Sequence, residues 1–255
     1  MKDSIAALIN RLPFDCWHCT TDDSRDERNA IMIKVVELVI PRLKELRDNA
    51  VLNASRIEYC RKSDLYPRGY YYPDPLSDII VSNARRGSIK KVDPGDAAFT
   101  YYFDDDNELS CVVTKEPREP FVPYRIRFEL LFRFDNMRLG IGFICDSNSY
   151  PHTDHFELYL ETRKLDGTEY VISSYIVSRE WSLPFEAFSS SIIIIGFSNG
   201  MPVSQTEKLL LPDETVYHGF VLEYDEKGMP SSVTCRGTTC NVGRRKKPIV
   251  AGMIK

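Results

Sequence analysis

The side chains in "FDCWHC", residues 14–19, are the first in this chain whose types and spacing suggest a reactive site: Cys16 and Cys19 flank Trp17 and His18. Such a pair can serve as a redox dithiol, as half of a zinc site, or as two buried thiols. A redox motif needs an apolar strand before it and a helix N-terminus to lower the first thiol's pKa, but "LINRLP" precedes this pair and reads as helical or irregular. Zinc would need two more thiolates, and Cys235 and Cys240 in "CRGTTC" are the candidates near the other end of the chain. The plainer reading is that Cys16 and Cys19 are reduced packing residues beside an anchoring Trp17, and the four-cysteine zinc site stays open as the alternative.

"CDSNSYPHTDHFE" places Asp146, His152, Asp154 and His155 in and beside one loop. Imidazole and carboxylate are the ligand types that hold a divalent metal and activate water, and the competing reading is a polar loop built from turn residues. No Ser/His/Asp order, phosphate-cradling glycine loop or nucleotide fingerprint is present, so neither a cofactor nor a metal is expected. Two further stretches suit recognition. "RKSDLYPRGYYYPDPLSD", residues 61–78, offers Tyr66, Arg68, Tyr70, Tyr71 and Tyr72 in a proline-stiffened loop, and tyrosine and arginine give large contact area at small entropic cost. "FDDDNE" offers Asp104, Asp105 and Asp106 at a hairpin tip, acidic enough to meet a basic partner. "GRRKKP", residues 243–248, is the basic run of a C-terminal arm and reads as a solvated tail.

These groups need a scaffold, and the composition supplies one. The chain has 255 residues, 43% of them hydrophobic, enough to bury a core. With 11% aromatic and 27% charged residues it lacks the signature of disorder, and a net charge of -4 gives no whole-molecule attraction to nucleic acid or an anionic membrane. No apolar run approaches the length of a membrane span, no signal peptide is read, and seven scattered cysteines fit a reducing compartment. A cytoplasmic location is expected.

Ser24 and Glu27 have the capping-box spacing, and Ile31, Val35, Leu38 and Val39 recur at helical spacing up to Pro41. "PRLKELRDNAVLN" predicts a second helix with Pro41 at its first position. From about residue 97 the period becomes two, as in "YRIRFELLFRFD", where Tyr124, Ile126, Phe128, Leu130, Phe132 and Phe134 alternate with Arg125, Arg127, Glu129, Leu131 and Arg133. That pattern predicts one buried face and one charged outer face, with Glu157, Glu161 and Glu169 as cross-strand partners. Asp166-Gly167 and Asn199-Gly200 mark tight hairpin turns among about ten strands, which should curl or split into two layers.

"YFDDDNELSCVVT" at 102–114 and "EYDEKGMPSSVTC" at 223–235 align as aromatic, Asp, two polar residues, Asn or Gly, then small and β-branched residues. "YDEKGMPSSVT" resembles the YD-type hairpin repeat of bacterial surface and toxin-carrying proteins, without their tandem array. The resemblance implies a hairpin at each place and assigns no activity.

The expected fold is therefore α+β: N-terminal helices packed on a large curved antiparallel sheet, with two layers as an option. The expected organisation is one unit with a helical part at 1–60, a Tyr/Pro-rich connection at 61–96, a β part at 97–240 and a basic arm at 241–255. The expected function is binding of another, basic protein through the tyrosine loop and acidic tip, most specifically as a bacterial immunity or antitoxin protein. The alternative is a metal-dependent hydrolase or nuclease using the His152/Asp154/His155 loop. Oligomeric state and strand order are not legible at this level.

Overall fold

The structure is a computed structural model that describes residues 1–17, 24–61, 63, 65, 67–73, 86–116, 125–146, 150–180, 182–210, 215–235 and 238–241. The N-terminal helices are α1 (Lys2–Ile9), the short α2 (Phe14–Trp17), α3 (Arg25–Val39) and α4 (Leu43–Leu52). Pro41 sits in a single 3-10 turn, Ile40–Arg42, between the last two, as expected of a residue without an amide donor. Buried Ile31, Met32, Val35, Val36 and Val39 form the inward stripe of α3. The expected capping box is not formed: Ser24 makes no side-chain cap bond, and its Oγ instead accepts from Arg28 Nη1 at 2.6 Å. Arg28 is buried and needs acceptors, so it takes Ser24 together with the Cys16 carbonyl at 2.8 Å.

The period-two segments become strands β1 (Arg56–Cys60), β2 (Ile89–Lys90), β3 (Phe99–Phe103), β4 (Leu109–Glu116), β5 (Arg125–Phe134), β6 (Met137–Cys145) and β7 (His155–Arg163). They continue as β8 (Glu169–Ser178), β9 (Glu186–Ser198), β10 (Met201–Leu210), β11 (Thr215–Tyr224), β12 (Pro230–Cys235) and β13 (Thr238–Asn241). All thirteen belong to one sheet in the order β13-β12-β11-β10-β9-β8-β7-β6-β5-β4-β3-β1-β2. The protein is thus mostly β with an N-terminal helical region, and the sheet does not part into two. Short β1, β2 and β13 were not expected, and β1 falls inside the segment 1–60 read as helical. Beyond Asn241 the basic arm lies outside the described residues.

The helices cover one face. Ile5, Ile9, Trp17, Val35 and Leu43 share a core with Leu130, Ile141, Phe143, Phe156, Leu158 and Val177. Trp17 settles how "FDCWHC" is used on its described side: its indole Nε1 donates to the Ile9 carbonyl at 3.2 Å and its ring meets Tyr175 edge-on at 6.3 Å. Cys16 is half-buried beside that core, and Cys19 lies outside the described residues. Cys235 is on β12, four strand spacings or roughly 19 Å from the β8 strand that Trp17 touches.

The two similar hairpins share one turn geometry. Asp104 N donates to the Glu108 carbonyl and Asp225 N to the Met229 carbonyl; Asn107 and Gly228 take the matching positive φ angles of 62° and 69°. Beside each turn the ladder shifts register, at Tyr102/Phe103 and at Glu223/Tyr224.

Candidate functional site

Because neighbouring strands from β3 onward are joined in sequence order, alternate turns fall on the same end of the sheet. The turns β3–β4, β5–β6, β7–β8, β9–β10 and β11–β12 therefore form one rim. Asp104, Asp105, Asp106 and Glu108 lie on the first, Asp135 on the second, Asp166 on the third, and Asp225 and Glu226 on the last, against the turn lysines Lys164 and Lys227. Asp104 also braces its own turn, Oδ1 accepting from Glu108 N at 2.9 Å, while Asp105 and Asp106 are exposed. Two adjoining clefts of about 400 and 410 Å³ open at this rim and share Glu108, Arg133, Asp135 and Arg138. Leu165, 94% exposed, stands at the edge of the first, and Lys2 borders the second.

Behind the rim, on the face away from the helices, a strap formed by residues 67–73 crosses the sheet. Gly69 is required there: its φ is +54°, and a Cβ would meet the Tyr101 hydroxyl at 2.8 Å and the Phe99 ring at 2.9 Å. Tyr70 N donates to that hydroxyl at 2.9 Å, which itself donates to the Arg68 carbonyl at 3.0 Å. Half-buried Tyr71 packs edge-on against Tyr101 and Phe103 and donates its hydroxyl to Glu58 at 2.5 Å. Tyr72 packs against Tyr170, Ile172, Ile193 and Ile195. Tyr66 lies outside the described residues. The tyrosine loop and the acidic tip are neighbours, since Phe103, in contact with Tyr71, immediately precedes Asp104.

Arg68 does not face solvent. Its side chain is 1% exposed, with Nε and Nη2 donating to Glu129 Oε1 at 2.8 and 2.6 Å and Nη1 to Glu161 Oε1. Arg138 and the Tyr170 hydroxyl donate to the other Glu161 oxygen. Arg127 reaches Glu157 at 3.1 Å, where the Tyr159 hydroxyl also donates. The charged face of β5 is thus a correction to the sequence reading: Arg127 and Glu129 are 2% and 0% exposed because the strap covers them. Arg127 does take Glu157 as expected, whereas Arg133 pairs with Glu108 and Glu169 with Lys164. The network fits because β6 carries Gly140 and Gly142. A Cβ on Gly140 would stand 2.1 Å from Glu129 Oε1, and one on Gly142 would stand 2.0 Å from Arg127 Nη2. Alternate glycines in a central strand, where glycine weakens the ladder, were the available signal for this.

Burial by itself would raise the Glu161 carboxyl, but Arg138 and Arg68, with hydrogen bonds from Arg138 and Tyr170, hold it at about 2. A depressed folded-state pKa stabilises the protein above the unfolded value near 4.5, and that contribution is lost as pH falls towards about 2. Glu161→Gln should therefore lower stability at neutral pH and flatten its fall between those limits by up to about one proton. Urea unfolding at a series of pH values checks this; an unchanged slope would refute it.

At the opposite end of the sheet, Asp146, His152 and Asp154 line a cleft of about 810 Å³ with Arg179 and Glu180. His155 does not line it; it begins β7 opposite Ser178. Among the described residues no group of three His, Cys, Asp or Glu side chains is placed to hold a metal ion, and no helix is long and apolar enough to cross a membrane.

Rim, strap and buried ion network define the protein as a one-sheet antiparallel meander with helices on one face and an arginine-fastened segment on the other. Comparison with family models, curated proteins and solved structures gave no match to the chain.

Proposed function

We propose that this is a protein-binding module that receives a basic protein at its acidic rim, and that it serves as a bacterial immunity or antitoxin protein covering a basic toxin domain in the cytoplasm. The observation that carries the reading is the alignment of the acidic turns along one rim, where Asp104, Asp106, Glu108 and Asp135 line two clefts beside Arg133, Arg138 and Arg163, with Asp104, Asp105 and Asp106 next to the strap that bears Arg68, Tyr70, Tyr71 and Tyr72. Arg68 serves from within, by holding the strap, while the tyrosines offer partly exposed rings. Tyr66 belongs to the same proposed surface by sequence. Co-expression with the product of a neighbouring gene tests the role: cells that survive that product only when this chain is present support it, and unchanged killing contradicts it.

Replacing Asp104, Asp105 and Asp106 together by Asn should slow association with a basic partner and leave dissociation nearly unchanged, because exposed charges steer encounter. The native association rate should fall as salt is raised. Tyr71→Ala with Tyr72→Ala should instead speed dissociation, since aromatic anchors act once the complex has formed. Surface-plasmon kinetics on the folded variants separate the two effects, and identical kinetics throughout would remove both surfaces from the interface.

A second reading, a metal-dependent hydrolase or nuclease, draws on the cleft lined by Asp146, His152, Asp154 and Glu180, where an ion would have to draw these side chains closer than they stand. Elemental analysis tests it: a stoichiometric metal lost on His152→Ala would favour it over a pure binding role.

A further inference from the structure

We propose that the pocket holding Arg68 is a guanidinium receptor, that the strap fills it with the chain's own arginine, and that an arginine of the basic partner takes it when the strap lifts. The inference rests on the basic-partner reading above and names the group recognised.

The walls of the pocket belong to strands whose ladders do not involve the strap: Glu129 on β5 pairs with Gly142 on β6, and Gly140 on β6 pairs with Tyr159 on β7, beside Glu161. The shape suits a planar fork. Glu129 takes the Nε and Nη2 edge and Glu161 takes Nη1, so the carboxylates address two sides of one guanidinium. Gly140 provides a flat floor, since a Cβ there would stand 2.6 Å from Nη2, and the Tyr159 ring centroid lies 5.9 Å from Cζ. A lysine ammonium, being a compact point charge, lacks the planar fork that sets separate N–H groups against the two carboxylates.

The occupant arrives on a short segment. Arg68 is the strap side chain that enters the ion network; the rest of the strap is held by hydrogen bonds with Tyr101, by Arg86 Nη1 donating to the Tyr70 and Tyr72 carbonyls, and by the Tyr71 hydroxyl donating to Glu58, contacts that must also yield when the strap lifts. Glu161 also lines the first rim cleft, so a partner seated on the acidic turns lies beside one wall of the receptor.

The experiment has two arms. Arg68→Ala empties the pocket, and thermal unfolding is followed while methylguanidinium or methylammonium is added at equal concentration. Saturable stabilisation by methylguanidinium at about tenfold lower concentration than by methylammonium is expected, and it should vanish when Glu129→Gln is added. The second arm uses the native chain, so that it does not depend on the folding of the variant: hydrogen exchange is measured with and without a peptide of alternating arginine and glycine. Amides of Gly69–Tyr72 should exchange faster with the peptide while those of β5–β7 keep their protection. No discrimination between the two cations, or unchanged strap exchange in the native chain, overturns the receptor. If that happens while the Asp104/Asp105/Asp106 variant still slows association, the receptor alone has failed; if the rim variant also has no effect, the basic-partner reading falls with it.

Discussion

Arg68→Met will destabilise the protein by about 3–5 kcal/mol, a large part of the total stability of an ordinary domain. The physical reason is the charge left behind. Glu129 and Glu161 are 0% and 1% exposed, and each draws on Arg68. Methionine preserves much of the side-chain volume but, among the described residues, leaves Glu129 with Arg127 as its ion-pair partner, whose Nη1 is 3.5 Å from Oε2. Adding Glu129→Gln should recover part of the loss, because the residue no longer holds a buried charge in want of a partner. Denaturant unfolding of the two single variants and the double variant forms a cycle, and a coupling of about 1–3 kcal/mol is expected. Strict additivity would mean that the contact has no energetic standing.

Gly140→Ala is the second large effect, expected at about 3 kcal/mol or more through overpacking and disruption of the ion network. The new methyl would lie 2.1 Å from Glu129 Oε1 and 2.6 Å from Arg68 Nη2. Those atoms are the ends of flexible side chains, but both are buried under the strap, and to move one of them is to break the network. Gly142→Ala should behave alike through Arg127, 2.0 Å away. Gly219→Ala is the internal control: on β11 nothing stands within 4 Å of its added Cβ, so the substitution should be neutral or slightly stabilising. Melting curves of the three variants check the contrast. Equal shifts for Gly140 and Gly219 would show that the close approach has no consequence.

How far the sequence disclosed all this follows from the range of each signal. Hairpin turns are local, and Asp166-Gly167 and Asn199-Gly200 form with Gly167, Asn199 and Gly200 at positive φ as their residue types require. The alternation of β5 is local too, and its apolar residues do face the helices. What the alternation cannot convey is that the charged side of the same strand is covered as well. The covering residue, Arg68, lies 61 positions from Glu129, and a charged side chain in a strand reads as solvated unless that distant partner is known. Ser24 shows the same limit at shorter range: a capping-box spacing gave way to a buried arginine at position 28. The acidic tip was legible as composition, but its company of other acidic turns depends on strand order, which no local pattern carries.

Amide chemical-shift mapping with the arginine-glycine peptide, at low and high salt, tests the central claim that the rim is where a basic partner is received. The account predicts shifts centred on the turns at Asp104–Asn107, Asp135 and Leu165, weakened by salt and by replacement of Asp104, Asp105 and Asp106 with Asn. Shifts centred instead on the cleft of Asp146 and His152, or shifts at the rim that survive the triple replacement unchanged, would contradict it.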